Sequence, residues 1–382
     1  MDICLCNFEI IRPKFEIPQE ITLEWLARAH AKGEASKEGW EESHPSSIAF
    51  EKRMKEWLFR LGAGPKKVQS RGTMLADFGV KSWDEMEIYR LRERPQGYSL
   101  TEKMVKFTSI VDKVFEQFYP EDKEIADHLI HVTCTGYVAP SGAQKIVSSK
   151  KSSSVVTHAY HMGCYASIPA MRMGSSFLKD SLTHSVDIVH TEVCSLHVNP
   201  VLHDVGQIIV ESLFADGFIK YSVTSEKKAF KPHLKLMALH EEILPSTLGA
   251  MRWDVEDWGF KMFITKDIPL LIANNMEEFL IHLCEKAEIS FEAVRDTCYY
   301  ALHPGGPKIL EQIADVLHLK LSQLAPSFQV LQEYGNMSSA TLPHIWARLL
   351  NDPLIPDGAT VISLAYGPGL TICGALLQKC GC

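Results

Sequence analysis

The sequence has no uninterrupted apolar run near the ~18 residues that a membrane-spanning helix needs, which argues against a membrane span. It also has no sustained block of lysine and arginine, and 39 basic against 47 acidic residues leave a formal charge of −8. That balance argues against nucleic acid and anionic membrane surfaces as partners, so a phosphate-bearing ligand would need a local basic patch. The N-terminal stretch MDICLCNFEIIRPKF has an acid at position 2, no basic segment and only a short apolar run. It predicts no secretory leader and a cytoplasmic setting. There is no low-complexity tract, and 46% hydrophobic with 23% charged residues is the balance of an ordinary globular chain. Ten cysteines in 382 residues of such a chain read as free thiols, most of them core residues, rather than a disulfide framework. The terminal QKCGC lacks the further spaced ligands that a metal site requires.

The length allows two domains of ordinary size or one duplicated unit. To about residue 125 the pattern is mainly helical, with PQEITLEWLARAHAK, SIAFEKRMKEWLFRLG and SLTEKMVKFTSIVDKVFEQF showing apolar residues three and four apart. Beyond it, short β-branched runs (HLIHVTCTG, SVDIVHTEVCSLHV, GFIKYSVTS) alternate with helical segments such as CYASIPAMRMGSSFLKD, an α/β pattern. The basic stretch TSEKKAFKPH then leads into LKLMALHEEIL, DIPLLIANNMEEFLIHLCEKA, TCYYALH, GPKILEQIADVLHL, SSATLPHIWARLL, ATVISLAYG and LTICGALLQ. The element order repeats, which predicts a duplicated α/β unit of two halves, 1–226 and 227–382.

Three positions carry candidate chemistry. Cys164 follows Gly163, which permits a sharp turn, and opens a small-residue segment in which Pro169 fits the first turn of a helix. A thiol at a helix N-terminus meets unpaired N–H groups and the positive end of the macrodipole, both of which favour thiolate. The plain alternative is a buried hydrophobe, and a third is a metal ligand together with His158 and His161, for which a fourth ligand is missing. His303 ends an apolar strand before Pro304, Gly305, Gly306 and Pro307, a stiff loop suited to an active-site group or to a hydrogen-bonded structural histidine. Asn336 follows Gly335 ahead of a small-residue helix, as Cys164 follows Gly163. It is either a helix cap or the counterpart of the cysteine across one centre.

Together, Gly163-Cys164-Tyr165-Ala166, the HPGGP of 303–307, the GNMSSA of 335–340, VHTEVCSLHVNP, SLFADG and YGPGLT stand in the order of one family. The chain resembles the chalcone-synthase-like type III polyketide synthases, relatives of the β-ketoacyl synthase III condensing enzymes. The resemblance implies a thiolase fold of duplicated αβαβα five-layer architecture, a homodimer, and a catalytic set of Cys164, His303 and Asn336. On that basis Cys164 holds an acyl chain as a thioester, with imidazolium character at His303 lowering the thiol pKa. His303 and Asn336 then stabilise the enolate formed as CO2 leaves a malonyl or β-ketoacyl thioester. No metal or redox cofactor is required.

The resemblance makes Phe214 a gatekeeper, with Met262 in place of a second phenylalanine, and adds His197, Trp253, Ser338, Gly367 and Gly369 to the substrate pocket. Arg53, Lys55 and Lys308 are the candidates for the phosphates of coenzyme A or of carrier phosphopantetheine. Trp253, His197 and Ala139 depart from plant members, so the pocket is not that of a flavonoid enzyme. The expected partners are acyl and malonyl thioesters, as coenzyme A or on an acyl carrier protein. The expected outcome is an acyltransferase making an α-pyrone or resorcinol-type product. The alternatives are a carrier-dependent ketosynthase joining two β-ketoacyl chains, a single-condensation enzyme, or a catalytically silent acyl-binding partner.

Overall fold

The computed structural model describes residues 2–180 and 182–381; Cys382 of the terminal QKCGC lies outside them. The first strand, β1 (Ile3–Ile11), is followed by the short pair β2 (Phe15–Pro18) and β3 (Ser70–Thr73). Around these lie α1 (Gln19–Glu38), α2 (Pro45–Leu61) and α3 (Leu100–Phe118). Ser99 caps α3 with a reciprocal bond to Glu102, two orphan donors satisfied at once. Then come β4 (His128–Thr133), α4 (Gly142–Ser149), β5 (Val155–Tyr160), α5 (Ser167–Phe177), β6 (Ser185–Glu192), α6 (Val205–Leu213) and β7 (Gly217–Ser225). The remainder opens with β8 (His233–Ile243), the hairpin β9 (Met251–Glu256) and β10 (Gly259–Ile264), and helices α7 (Ile268–Asn274), α8 (Met276–Glu285) and α9 (Phe291–Val294). It closes with β11 (Tyr299–Leu302), α10 (Pro307–Val316), α11 (Ala325–Tyr334), α12 (Thr341–Asn351), β12 (Thr360–Gly367) and β13 (Thr371–Cys380).

Nine strands form one sheet in the order β11-β12-β13-β8-β1-β7-β6-β4-β5. The pairing on the two sides of the centre is the same: β4 is parallel to β6, β6 antiparallel to β7 and β7 antiparallel to β1. Likewise β11 is parallel to β12, β12 antiparallel to β13 and β13 antiparallel to β8. The sides meet where Ile3–Leu5 of β1 pair with β8. The N-terminal apolar run is thus a central strand and not only a short hydrophobic patch. A strand covered on both faces needs no alternation, and Cys4, Leu5 and Cys6 are fully buried there.

Three apolar clusters separate the layers. The middle one joins α5 and α12 to the inner faces of both sheet halves and holds Trp346, fully buried with its indole N–H donating to Ser363 Oγ at 2.7 Å. A second covers the other face of the first half with α1 to α4, and a third covers the second half with α7, α8 and α10. Layers of helix, sheet, helix, sheet and helix follow, the duplicated five-layer arrangement of the thiolase fold. The segment DIPLLIANNMEEFLIHLCEKA, periodic throughout, is two helices broken at Asn275. Among the described residues no helix is long and apolar enough to cross a membrane.

Candidate active site

β5 ends at Tyr160, and the chain turns through His161 at φ 61° and Gly163 at φ 81° before reaching Cys164. A Cβ at Gly163 would lie 2.7 Å from Pro368 Cδ, so this glycine serves both the left-handed backbone and the approach of the 366–371 loop. Cys164 is buried in the turn that precedes α5, a helix carrying Pro169 in its first turn. The second half repeats the device: Gly335 at φ 74° precedes Asn336, and a short 3-10 turn over Ser338–Ala340 leads into α12. These starts meet, since Ser338 Oγ lies 3.8 Å from Cys164 Sγ.

Asn336 is fixed through backbone and side chain. Its N–H donates to Leu213 O at 2.9 Å and its C=O accepts from Ala215 N at 2.8 Å. Its Oδ1 accepts from Ser338 N at 2.9 Å and from Thr341 Oγ1 at 3.4 Å. The amide orientation is therefore set, and Nδ2 is buried with no hydrogen-bond acceptor among the described residues. His303 follows β11, its N–H donating to Leu364 O at 2.8 Å and its C=O accepting from Gly305 N at 3.0 Å. Both ring nitrogens of His303 are likewise buried and without partners among the described residues. Buried polar atoms that lack partners are costly, and three of the sixteen among the described residues are on the histidine and the asparagine that the sequence singles out.

Burial pushes the Cys164 thiol up to about 12, with Ser338 and Asn336 pulling it down and Glu192 pushing it further up. Burial also holds His303 down to about 3. Burial therefore favours the neutral form of both the thiol and the imidazole, where the sequence predicts thiolate with imidazolium character. The difference has a physical cause: both groups are cut off from water, and Cys164 sits in a turn before Ser167, outside the helix proper.

Around the thiol lies a polar network that sequence reading did not single out. Glu192, fully buried at the end of β6, accepts from Thr135 Oγ1 at 2.8 Å, from Cys134 N at 3.1 Å and from Ser339 Oγ, and burial raises its carboxyl pKa. Cys134 Sγ lies 2.8 Å from Ser338 Oγ. Cys134, Cys164 and Cys194 all carry free thiols.

A cavity of about 40 Å³ lies beside this network, lined by Arg71, Cys194, Ser195, His197, Phe214 and Trp253 among others. His197 is fixed as the Nε2–H tautomer, donating to Thr135 O at 2.9 Å while Nδ1 accepts from Phe260 N at 3.1 Å. Its ring stacks on Phe260 at 4.5 Å, and burial lowers its pKa to about 3. The Trp253 indole N–H donates to Cys134 O at 2.6 Å. Met262 faces Trp253 across the β9–β10 hairpin, and its carbonyl accepts from Gln207 Nε2 at 2.9 Å. Arg71, also unremarked in the sequence, donates from Nε to Gln19 Oε1 at 2.8 Å and from Nη1 to Glu211 O at 2.6 Å and Phe214 O at 2.8 Å.

The other expected residues lie apart from the cavity. Gly367 ends β12 against the Tyr165 ring, and Gly369 N–H donates to Met251 O at 3.1 Å, so their loop abuts the Cys164 turn. Arg53 stacks over Phe50 at 4.7 Å, and Lys55 pairs with Glu24 at 2.6 Å. Lys308 is exposed on the first turn of α10, directly after the His303 loop. His158 and His161 are engaged apart from the thiol, with Ser141 Oγ and Trp253 O, each at 2.8 Å.

Residues 235–380 match the family described as the C-terminal domain of chalcone and stilbene synthases. Among curated proteins, probable polyketide synthase 1 of Dictyostelium discoideum is 28% identical over 339 residues, covering 79% of this chain and 11% of that protein. Type III polyketide synthase C of Arabidopsis thaliana is 27% identical over 260 residues, covering 66% of this chain and 67% of that one. This chain thus spans only a small part of the Dictyostelium protein. Among solved structures, the C-terminal type III polyketide synthase domain of Steely1, a type I/III hybrid from Dictyostelium, superposes with a TM-score of 0.82 at 23% identity, covering 99% of both chains. PKS-I of the brown alga Ectocarpus siliculosus does so with a TM-score of 0.82 at 21% identity, covering 99% of this chain and 98% of that one. Residues 235–380 thus match the chalcone and stilbene synthase C-terminal domain, and the chain as a whole is similar in sequence to type III polyketide synthases and shares the fold of their solved domains.

Proposed function

We propose that the protein is a polyketide-forming acyltransferase in which Cys164 is the nucleophile and His303 and Asn336 are the donors to a developing enolate. One observation carries the reading: the nitrogen atoms of His303 and Asn336 Nδ2 are buried with their hydrogen bonds unspent, while Asn336 Oδ1 is tied back to Ser338 N. Donors fixed in this way cost no reorganisation when charge forms on a thioester oxygen.

In the first half-reaction Cys164 Sγ attacks the acyl carbonyl, the thiol proton passes to His303, and the donor thiol leaves carrying a proton. Because both resting groups are neutral, the thiolate forms as the acyl group is attacked and not before. In the second, the malonyl C–C bond breaks, CO2 departs with one carbonyl carbon, and the electron pair remains as an enolate held by His303 and Asn336. The enolate carbon then attacks the Cys164 thioester, the C–S bond breaks, and the released thiolate takes a proton from solvent to restore the thiol. In a β-ketoacyl donor, transfer of the α-proton to the neutral His303 imidazole replaces loss of CO2.

The finer reading is ring closure to an α-pyrone or resorcinol-type product by a cytoplasmic homodimer. The halves are 1–226, carrying the cysteine, and 227–382, carrying the histidine and asparagine. Arg53, Lys55 and Lys308 meet the phosphates of coenzyme A or carrier phosphopantetheine. Pairing of Lys55 with Glu24 takes one of the expected phosphate partners, which keeps a carrier-bound donor in view as the second reading.

The test is intact-protein mass spectrometry of the wild type and Cys164→Ala with acyl-coenzyme A thioesters of graded length, repeated with acyl-carrier-protein donors. An adduct on the wild type alone is expected. An adduct of equal yield on Cys164→Ala, or turnover by that variant, removes Cys164 from the reaction.

A further inference from the structure

On the outer face of the second sheet half, strand β8 and helix α8 bring together His240, Glu242 and His282. His240 and Glu242 are two apart on β8 and so emerge on the same face. Glu241 between them points the other way and pairs with Arg172 of α5 at 2.8 Å. His282 comes from the last turn of α8, which packs over that face.

His240 Nε2 lies 2.5 Å and His282 Nδ1 3.2 Å from the same oxygen, Glu242 Oε1, and the three atoms all lie within 4.8 Å of one another. The rings do not stack: their centroids are 5.7 Å apart and their planes 84° to each other, so two lone-pair directions converge on the carboxylate. His240 is fixed by packing on Phe279 at 4.8 Å, and its side chain is only 12% exposed. Glu242 and His282 are 34% and 43% exposed, which leaves one side open to solvent.

We propose that His240, Glu242 and His282 form a binding site for a divalent transition-metal ion of the zinc type, with a solvent molecule as fourth ligand. Two imidazoles and one carboxylate are a set such ions prefer, and Mg²⁺ or Ca²⁺ would seek oxygen instead. Tetrahedral bonds of ~2.0–2.1 Å place neighbouring ligand atoms ~3.3 Å apart, close to the His282–Glu242 separation. To match it the His240–Glu242 pair has to open by ~0.8 Å and the two ring nitrogens, within 4.8 Å of each other, to close by up to ~1.5 Å, movements that the partly exposed Glu242 and His282 side chains allow. The ligands come from two elements, so the ion would tie the outer helix to the sheet. This site is independent of the acyl chemistry, and Cys164 acylation is not expected to depend on it.

The test is titration of chelator-treated full-length protein with Co²⁺, whose visible spectrum reports the ligand set. Saturation at one ion per chain is expected, with the d–d bands of a four-coordinate nitrogen and oxygen site and displacement by Zn²⁺. The thiolate-to-metal charge-transfer band of cysteine ligation should be missing. His282→Ala, on a solvent-facing helix position, and Glu242→Gln, which keeps the shape of the side chain, should each weaken binding by roughly tenfold or more. Their unfolding midpoints in chelator, measured alongside, should match the wild type. Binding that is unchanged in both variants, a thiolate band, or no saturable binding at millimolar metal would overturn the proposal.

Discussion

Phe214 and Asn336 are joined by an isolated parallel β-bridge, so the aromatic residue in the cavity wall and the amide beside Cys164 move as one piece. Arg71 holds that piece from behind, accepting nothing and donating to Glu211 O and Phe214 O from one nitrogen. Arg71→Met would leave both carbonyls and Gln19 Oε1 without their donor. We expect a loss of about 2–4 kcal/mol in urea unfolding. Condensation should slow more than acylation of Cys164, because the displaced group is Asn336. Arg71→Lys should not restore the rate, since an ammonium cannot fork to those partners. An unaltered ratio of acylation to condensation in Arg71→Met would separate the bridge from the chemistry.

Asn336→Ala removes one of the two proposed enolate donors and leaves the thiol in place. The Cys164-bound acyl group should still form in an intact-mass measurement. Release of CO2 from a malonyl thioester should fall by about 100-fold or more, the usual consequence of losing a fixed oxyanion donor. Equal slowing of both half-reactions would assign Asn336 to the architecture of the turn instead.

Lys103 gives a pH dependence of stability that the surface charges do not. It is fully buried, donates to Trp258 O at 2.7 Å, and burial lowers its pKa from 10.5 to about 7. Between those values the unfolded chain binds a proton that the folded chain does not, so stability rises with pH across the window and is lost as pH falls towards 7. The span is at most about 4–5 kcal/mol, and Lys103→Met should abolish it. The difference between wild-type and Lys103→Met unfolding free energies, followed from neutral to alkaline pH, isolates this group from the other titrating residues. A flat difference would show that the ammonium keeps its charge in the fold.

What was legible in the sequence was whatever the backbone signals locally. Glycine before Cys164 and Asn336, and proline with glycine after His303, mark positions where a turn must present a side chain, and the structure brings the Cys164 and Asn336 turns to one centre. The central strand β1 was missed because a strand buried on both faces shows a run and no alternation. The β9–β10 hairpin, which carries Trp253 and Met262, was read for its pocket residues alone. Arg71, Lys103 and Glu192 could not be read at all, since their partners are remote in sequence, Glu211 standing 140 positions from Arg71 and Trp258 155 from Lys103. A lone buried charge looks like any surface charge until the chain has folded around it.

On the proposed reading, in which the acyl chain enters the cavity that Trp253 lines, this residue limits its room. Its indole lines the cavity of about 40 Å³, donates to Cys134 O, and stands edge-on to His197 and Phe260 with ring centroids 6.1 and 5.9 Å away. Of the β9–β10 hairpin residues, Trp253 is the one that lines this cavity, with Met262 opposite it on the facing strand. Trp253→Ala should therefore open the chamber at a stability cost of about 3 kcal/mol or less, the tryptophan being only partly buried. Acylation should shift towards bulkier starters, and product masses should increase by whole two-carbon ketide units. Trp253→Phe, which keeps most of the ring and loses the bond to Cys134, should leave chain length close to wild type. Liquid chromatography with mass spectrometry of the products separates the two effects. If Trp253→Ala folds and turns over with an unchanged product, chain length is limited elsewhere, and the Phe214–Asn336 bridge becomes the wall to examine.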